Sequence, residues 1–247
     1  MDFRLSEDQA AAREMAIDFA RKEVAPHWRR REAEGVFHRD LIEKMGAAGM
    51  FGCLFPEEFG GNGMGFVAQV LVMEEMMRAS IETGMPFNNQ GVNVPMAIYR
   101  HGTPAQKRRY VPELVAGRTI GCFGLTEPDA GSDARGIRTR AERRDGGWVV
   151  NGRKTFISNA GTDMSFGVTL LARTPGAYAT FVVESGTPGF TTGPKLRGIG
   201  WRGLDTRELF FDDVWVPDDH LVGDPDLGLG QFLGTLEVGR ISVAALS

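Results

Sequence analysis

The stretch that decides the fold is Gly124–Asp133, which reads GLTEPDAGSD. The apolar run Ile120–Leu125 leads into it and predicts a strand, and the small and hydroxyl-bearing residues that follow predict a loop. Such a loop lets backbone N–H groups and the Thr126 and Ser132 hydroxyls approach a phosphate or the polar edge of a ring. A strand that ends in a tight turn explains the same residues, so this stretch alone leaves a binding role and a structural role open.

A second informative stretch, Asn151–Ala160, reads NGRKTFISNA. Asn151 and Gly152 tolerate positive φ and predict a hairpin turn, after which a strand is expected. Residues i and i+2 of a strand share a face, so Phe156 and Ser158 are expected to cover one side of a planar ring and to donate a hydrogen bond to its edge. An ordinary half-buried strand is the alternative interpretation.

Around these two stretches, residues 118–217 show short apolar or alternating runs separated by turn residues, which is typical of strands. Asp145–Gly147 is a further hairpin signal. Strands at this density without helices between them predict an antiparallel β-sandwich or barrel rather than a doubly wound sheet. The candidate strands are Ile120–Leu125, Ile137–Arg143, Trp148–Val150, Lys154–Ile157, Phe166–Arg173, Thr180–Val183 and Glu208–Phe211.

Upstream of residue 118 the pattern is helical. Two capping boxes, Ser6 with Gln9 and Thr103 with Gln106, predict helix starts because each side chain satisfies a free backbone N–H of the first turn. Apolar residues recur at helical spacing in the segments between them. These predict helices near residues 41–45, 65–79 and 92–100.

After residue 225 the helical spacing returns, with apolar residues from Phe232 to Ala245 on one face. The pattern reaches Ser247 without a glycine or proline stop, which favours a helix entering a domain that these residues do not include. The predicted organisation is α+β: an N-terminal helical-bundle domain (1–117), a β domain (118–224) and the first helix of a truncated C-terminal helical bundle (225–247).

The glycine-rich stretch Gly228–Gly234 resembles the fingerprint of dinucleotide-binding proteins, but its spacing and its context differ from that fingerprint. Its third glycine comes one position late, and a turn at Asp224–Asp226 precedes it where the fingerprint requires a strand. A nicotinamide site is therefore not predicted.

The composition excludes several classes of protein. A net charge of −4 argues against a nucleic-acid partner, and the basic clusters Arg29–Arg31 and Lys107–Arg109 are interpreted as solvated faces. No run approaches the roughly 18 apolar residues of a membrane span, and the N-terminus lacks a signal-peptide pattern, so a cytoplasmic protein is expected. Cys53 and Cys122 are expected to be buried free thiols, and the histidine spacing predicts no metal site.

Taken together, the two stretches resemble motifs of the acyl-CoA dehydrogenase family. Other landmarks of that family follow in order, and the resemblance covers essentially all 247 residues. They are the opening Met1–Glu7 (MDFRLSE), the loop Pro56–Gly61 (PEEFGG), Thr187–Gly189 (TPG) and Phe211–Pro217 (FDDVWVP).

The resemblance implies that FAD is held in a crevice between the β domain and the second helical bundle. It places Thr126 at the pyrimidine edge of the flavin, and Ser132 near both the FAD pyrophosphate and the pantetheine of acyl-CoA. It also implies that Phe156 covers the flavin face opposite the substrate, where the family commonly carries tryptophan, and that Ser158 bonds near flavin N5. The implied cofactor-binding set is Phe123, Leu125, Thr126, Ser132, Phe156, Ile157 and Ser158.

The resemblance further implies FAD-dependent α,β-dehydrogenation of an acyl-CoA thioester. A carboxylate takes the α-proton, a hydride leaves the β-carbon for flavin N5, and the electrons pass to an electron-transfer flavoprotein. The base is usually a glutamate of the C-terminal bundle, or in some relatives the residue before an arginine that matches Arg240, where this chain has Gly239. Glu237 and Arg240 resemble substrate contacts, although their i,i+3 spacing also suits a simple ion pair. No catalytic base is therefore assigned within the chain.

Two alternatives to a dehydrogenase stay open on the residues alone. One is a flavin oxidase or monooxygenase on the same fold, and the other is a non-catalytic binding module. Family members commonly assemble through the C-terminal bundle, so the resemblance implies a homo-oligomer. Acyl chain length cannot be read from these residues.

Overall fold

The computed structural model describes residues 4–246, so Met1–Phe3 of the family-like opening lie outside the described residues. The chain forms helices first, then a sheet, then one last helix, which confirms the predicted α+β order. The helices are α1 (Glu7–Phe19), α2 (Trp28–Glu34), α3 (Arg39–Ala47), α4 (Gly65–Ala79), α5 (Gly84–Asn88), α6 (Val94–His101), α7 (Pro104–Val115) and α8 (Gly228–Ala244). Two π-helical turns, Ala20–Val24 and Asn89–Asn93, follow α1 and join α5 to α6.

Both capping boxes form as predicted. The Ser6 N–H donates to Gln9 Oε1 at 3.0 Å, and the Gln9 N–H donates to Ser6 Oγ at 3.2 Å. The same reciprocal pair closes the start of α7, at 2.8 Å from the Thr103 N–H and 3.2 Å from the Gln106 N–H. Each box satisfies two backbone groups, which fixes where these helices begin.

The β region is one eight-stranded sheet with the order β6-β7-β3-β2-β4-β5-β8 and β1 paired to β4. The strands are β1 (Ile120–Gly124), β2 (Arg140–Arg144), β3 (Gly147–Ser158), β4 (Ser165–Thr174), β5 (Ala177–Glu184), β6 (Phe190–Thr192), β7 (Thr206–Pro217) and β8 (Leu221–Val222). Among the described strands the pairings are antiparallel, as predicted, except that β4 pairs in parallel with β1 and with the start of β2. Because β1 pairs with β4 in parallel, the C-terminal end of β1 lies beside the middle of β4.

The hairpin turn predicted at Asn151–Gly152 is wrong. Both residues lie inside β3, where the register with β7 shifts between Val150 and Gly152. Gly152 has φ 150°, and a Cβ there would lie 2.5 Å from Thr139 Oγ1, so glycine here permits a close approach to Thr139 opposite a bulge of β7 rather than a turn. The Asp145–Gly147 hairpin is confirmed, because Gly146 takes φ 73° between β2 and β3.

Burial confirms one of the predictions made from composition and overturns another. Cys53 and Cys122 are buried free thiols. The solvated face predicted at Arg29–Arg31 is wrong for Arg31, which is 4% exposed. Its guanidinium donates to the Glu23 carbonyl at 2.8 Å and to Asp40 at 3.3 Å, so hydrogen bonds replace the water that the pattern assumed.

Contacts between the helical and β parts set their relative position. Gln106 of α7 donates through Nε2 to the Asp219 and Leu221 carbonyls at 2.7 and 2.8 Å. Lys195 donates to the Gly35 carbonyl at 2.7 Å. Within residues 4–246, every helix falls short of the length or apolarity needed to cross a bilayer.

Candidate active site

The two informative stretches meet at the end of β1. The Thr155 N–H of β3 donates to the Thr126 carbonyl at 2.9 Å, and Lys154 Nζ donates to the Leu125 carbonyl at 2.9 Å. Two successive carbonyls of the loop are therefore fastened to β3. The Thr126 N–H, in contrast, has no acceptor in the part of the chain that the structure describes.

A buried ion pair holds this junction. Lys154 is fully buried and donates to Glu127 Oε1 at 2.8 Å, while Glu127 is 6% exposed. The Glu127 carboxylate also accepts the Arg138 N–H at 2.6 Å and the Thr139 N–H at 3.0 Å. Because these two N–H groups donate to Glu127, they are not available for pairing with a neighbouring strand. The strand predicted from Ile137 therefore begins only at Arg140.

Both members of the pair have shifted pKa values. Burial opposes the charge of Glu127, but the Lys154 ammonium and the hydrogen bonds to the carboxylate outweigh it and lower the pKa of Glu127. Burial lowers the pKa of Lys154, against the opposing attraction of Glu127. Mutual attraction stabilises the charged forms of the pair, and so do the hydrogen bonds from Lys154 to Glu127 and to the Leu125 carbonyl.

The loop beyond this junction is open. Ser132 is exposed, and a Cβ on Gly131 would meet nothing within 4 Å. The turn before it is tight, because Glu127 and Ala130 exchange backbone hydrogen bonds of 2.9 and 3.2 Å. The loop is therefore anchored at one end and offers free small residues at the other.

Phe156 stands out of the sheet. Its ring is 69% exposed, and its φ of 57° is uncommon for a residue other than glycine. The register with β7 shifts between Lys154 and Ile157, so the i,i+2 argument for Phe156 and Ser158 does not apply. The bulge aims the Phe156 ring outward instead. Ser158 is half-buried, while the Ile157 side chain packs in the core and leaves only its main chain free to face the site.

Helix α8 covers the other end of the site. The Phe123 and Phe232 rings are in contact with centroids 3.8 Å apart and planes tilted by 31°, and Leu125 joins the same apolar cluster. Glu237 and Arg240 are exposed on α8, and no ion pair joins them within the described residues. Gly239 is buried against Asn93 and offers no side chain for proton transfer.

Two family models match consecutive parts of the chain. The model "Acyl-CoA dehydrogenase, N-terminal domain" matches residues 6–118, and the model "Acyl-CoA dehydrogenase, middle domain" matches residues 122–214. The chain belongs to the acyl-CoA dehydrogenase family. An acyl-CoA dehydrogenase of Bacillus subtilis (strain 168) is 39% identical over 245 residues, which cover 98% of this chain and 64% of the relative.

Solved structures of acyl-CoA dehydrogenases have the same fold. Butyryl-CoA dehydrogenase from Megasphaera elsdenii superposes with a TM-score of 0.94 at 34% identity, covering 100% of this chain and 66% of that one. A glutaryl-CoA dehydrogenase from Mycobacterium smegmatis in complex with FADH2 gives a TM-score of 0.91 at 30% identity, covering 98% and 61%. The chain thus spans less than two thirds of the length of each of these relatives.

Sequence reasoning missed the two charged residues that hold the two stretches of this candidate site together. Glu127 and Lys154 lie inside the two stretches, yet neither was identified as a site residue. The available signal was strand parity: Lys154 has the same parity as Trp148 and Val150, which are buried. A lysine at a core-facing position predicts a buried acidic partner.

Proposed function

We propose that this acyl-CoA dehydrogenase chain binds FAD along Phe123–Ser132 and Phe156–Ser158 and acts in the α,β-dehydrogenation of an acyl-CoA thioester. The observation that carries the proposal is the junction at Lys154, which fixes the loop carbonyls inward and leaves the Thr126 N–H and the Phe156 ring free. The FADH2 complex of a family member at 30% identity supports it.

The residues present fit the cofactor. An exposed aromatic ring on a bulge suits a planar flavin face, and an unpaired N–H suits the acceptor-rich pyrimidine edge. The open Gly131–Ser132 segment suits a pyrophosphate, because small residues let backbone and hydroxyl groups approach it. When bound, FAD would supply the acceptor for a hydride from the substrate.

The roles of the chain's own residues follow from these positions. Thr126 orients the ring edge through its N–H and hydroxyl, Phe156 excludes water from one face, and Ser158 adds a hydroxyl beside it. On the exposed face of α8, Glu237 and Arg240 are proposed to contact the nucleotide part of CoA. None of the described residues is proposed as the α-proton base.

The proposal extends to the wider setting of the reaction. The family resemblance supports an electron-transfer flavoprotein as the electron acceptor and a homo-oligomer, while the cytoplasmic location stays a prediction from the sequence. Size-exclusion chromatography with light scattering tests the assembly, and reduction of an electron-transfer flavoprotein by the flavin-loaded protein tests the acceptor.

Flavin uptake is the direct test. The chain is incubated with excess FAD and desalted, and its visible absorption is recorded beside Ser132→Glu and Thr191→Glu. Ser132→Glu sets a negative charge against the pyrophosphate and is expected to lower FAD affinity at least ~10-fold. Thr191→Glu adds the same charge on exposed β6 and is expected to have no effect. A wild-type chain that retains no flavin, or equal retention by both variants, contradicts the proposal.

A further inference from the structure

Four buried polar side chains lie between α4, the π-helical turn Asn89–Asn93 and α8. Gln69 lies on α4, Asn88 and Asn93 lie at either end of the turn, and Ser242 lies on α8. Their exposed fractions are 0%, 1%, 7% and 0%. We call these four residues the amide cluster.

Contacts through two glycines bring the amide cluster together. Gln69 Nε2 lies 2.8 Å from the position that a Cβ on Gly91 would take, in the middle of the turn. A Cβ on Gly239 would overlap Asn93 Oδ1, and Ser242 follows Gly239 by one helical turn on the same buried face. The turn therefore packs against an amide group of α4 and presents an amide group of its own to α8. Because both contacts are made at glycines, no side chain lies between.

Asn93 Nδ2 donates to Asn89 Oδ1 at 3.2 Å, but five other polar atoms of the amide cluster lack a partner among the described residues. Gln69 Oε1 and Nε2, Asn88 Oδ1, Asn93 Oδ1 and Ser242 Oγ are all buried without a hydrogen bond in the described part of the chain. Buried polar groups in folded proteins are nearly always bonded, so a group of this kind needs an explanation. The turn is also π-helical, closed by the Val94 N–H on the Asn89 carbonyl, and such turns occur frequently at functional sites.

The amide cluster adjoins the proposed flavin site. The turn packs against β1 as well as α8, and a Cβ on Gly121 of β1 would lie 2.5 Å from Val94 Cγ1. Two residues further along β1, Phe123 meets Phe232 of α8. An acyl chain bound beside this strand therefore has the amide cluster at the wall formed by the turn.

The chemistry of the cluster selects a neutral polar group. It presents three amide carbonyl oxygens, one amide nitrogen and one hydroxyl, and none of its four members carries a charge. The nearby acid of α4, Glu75, is already paired with Arg13 at 2.8 Å and Arg78 at 3.2 Å. A carboxylate would face carbonyl oxygens without a counter-charge, and an alkyl chain would leave every acceptor unbonded. A hydroxyl both donates and accepts, which matches the set.

We propose that the amide cluster recognises a hydroxyl group on the acyl chain, so that the preferred substrate class is a hydroxylated acyl-CoA thioester. This inference rests on the proposed function, because it assigns the acyl group of that same site. A site built to bond a hydroxyl disfavours the analogue that lacks one, because its own polar groups are then left unpaired.

The test compares three C4 thioesters by calorimetric titration of the FAD-treated full chain: 4-hydroxybutyryl-CoA, butyryl-CoA and succinyl-CoA. The hydroxylated thioester is expected to bind at least ~10-fold more tightly than either of the others. Gln69→Met and Asn93→Leu should abolish this preference, because butyryl-CoA then meets apolar groups in place of unpaired polar atoms and 4-hydroxybutyryl-CoA loses its hydrogen-bond partners. Equal affinities for the three thioesters overturn the inference alone, whereas no binding of any thioester overturns the proposed function as well.

Thermal unfolding provides a second readout that needs no ligand. Gln69→Met is expected to raise the Tm, because it removes two buried polar atoms that have no partner. The matched control is Gln106→Met: Gln106 is also a buried glutamine, but its amide is fully bonded, so the Tm should fall. A fall in Tm for Gln69→Met shows amides satisfied by bound water or by one another, and that result overturns a substrate site.

Discussion

At the residue scale, the single buried side chain of Lys154 holds the loop in place. Fully buried, it joins the Glu127 carboxylate and the Leu125 carbonyl, and so fixes both the charge and the path of the loop. Breaking a buried pair from one side leaves an uncompensated charge, which costs about 3–5 kcal/mol. Lys154→Met is therefore expected to lower the free energy of unfolding by about that amount in urea titration.

Two variants make the Lys154 result specific. The double variant Lys154→Met with Glu127→Gln removes the stranded charge and should recover much of the loss. Arg143→Ala breaks an ion pair with Asp218 in which both side chains are about half exposed, and it should cost less than ~1 kcal/mol. A Lys154→Met chain as stable as Arg143→Ala would mean that the buried pair does not hold the loop.

Phe156 combines strain with exposure. A positive φ costs a residue with a Cβ about 1–2 kcal/mol, and an exposed ring gains little from packing. Phe156→Gly is thus expected to leave the stability within ~1 kcal/mol of wild type and to weaken FAD binding at least ~10-fold, while Phe156→Trp keeps the affinity. Fluorescence titration with FAD measures this, and unchanged affinity in Phe156→Gly would remove the ring from the flavin site.

Whether the environment of a residue could be predicted from sequence depended on how close along the chain its determining contacts lie. Thr126 and Ser132 could be selected because the small and hydroxyl-bearing residues of their loop are consecutive in the sequence. The exposure of Phe156 could not, since it depends on a bulge set by pairing with β7 far along the chain. Arg31 was misplaced for the same reason: its acceptors, Glu23 and Asp40, lie on neighbouring segments.

At the scale of elements, two glycines of β3 and its hairpin serve different ends. Gly146 turns the hairpin in open space, and Gly152 lies against Thr139 opposite a bulge of β7. Gly146→Ala is expected to cost about 1–2 kcal/mol from backbone strain alone. Gly152→Ala is expected to cost clearly more in the same urea titration, because strain and overlap with Thr139 add. Equal costs would contradict the close approach of Gly152 to Thr139.

Helix starts were predictable because a capping box is a four-residue signal, and both boxes form where they were expected. The strand pattern also gave the right region, but it split β3 in two at Gly152. Glycine after asparagine favours a turn when read alone, whereas pairing with β7 on both sides keeps the strand running. The parallel placement of β1 on β4 has no local signal at all.

For the whole molecule, a pair of acids lies where the helical part meets the β part. Glu82 accepts the Gly203 N–H at 3.2 Å, and Glu32 accepts the Arg202 N–H at 3.1 Å. Burial, then the hydrogen bond and charge of Glu32, raise the pKa of Glu82 to about 7, although Gly203 and Arg31 act in the opposite direction. The contact is therefore expected to depend on pH.

A raised acid pKa fixes the sign of that dependence. The stabilisation is fully present below the ordinary glutamate pKa and is lost as the pH rises through about 7. The Tm of the wild-type chain should fall between pH 5 and pH 8 by more than that of Glu82→Gln, which cannot ionise there. Differential scanning calorimetry measures this, and parallel Tm profiles for the two proteins would contradict it.

Overall organisation was the most predictable level of all. The order of helical and β segments follows from a change of period along the chain, and the family landmarks are short consecutive strings. The amide cluster was not predictable, because Gln69, Asn93 and Ser242 meet only after three separate helical segments pack together.

The pairing of β3 with β7 also imposes a delay during translation. Gly147 pairs with Pro217 and Ser158 with Thr206, so β3 leaves the ribosome long before its partner exists. At about 5–20 residues per second, the strand waits on the order of 4–14 s for the end of β7 to be synthesised. During that interval helices α1–α7 can already fold, while the edge of β3 is open to other nascent chains. Slower translation between the two strands should therefore lengthen the time for which the chain depends on chaperones.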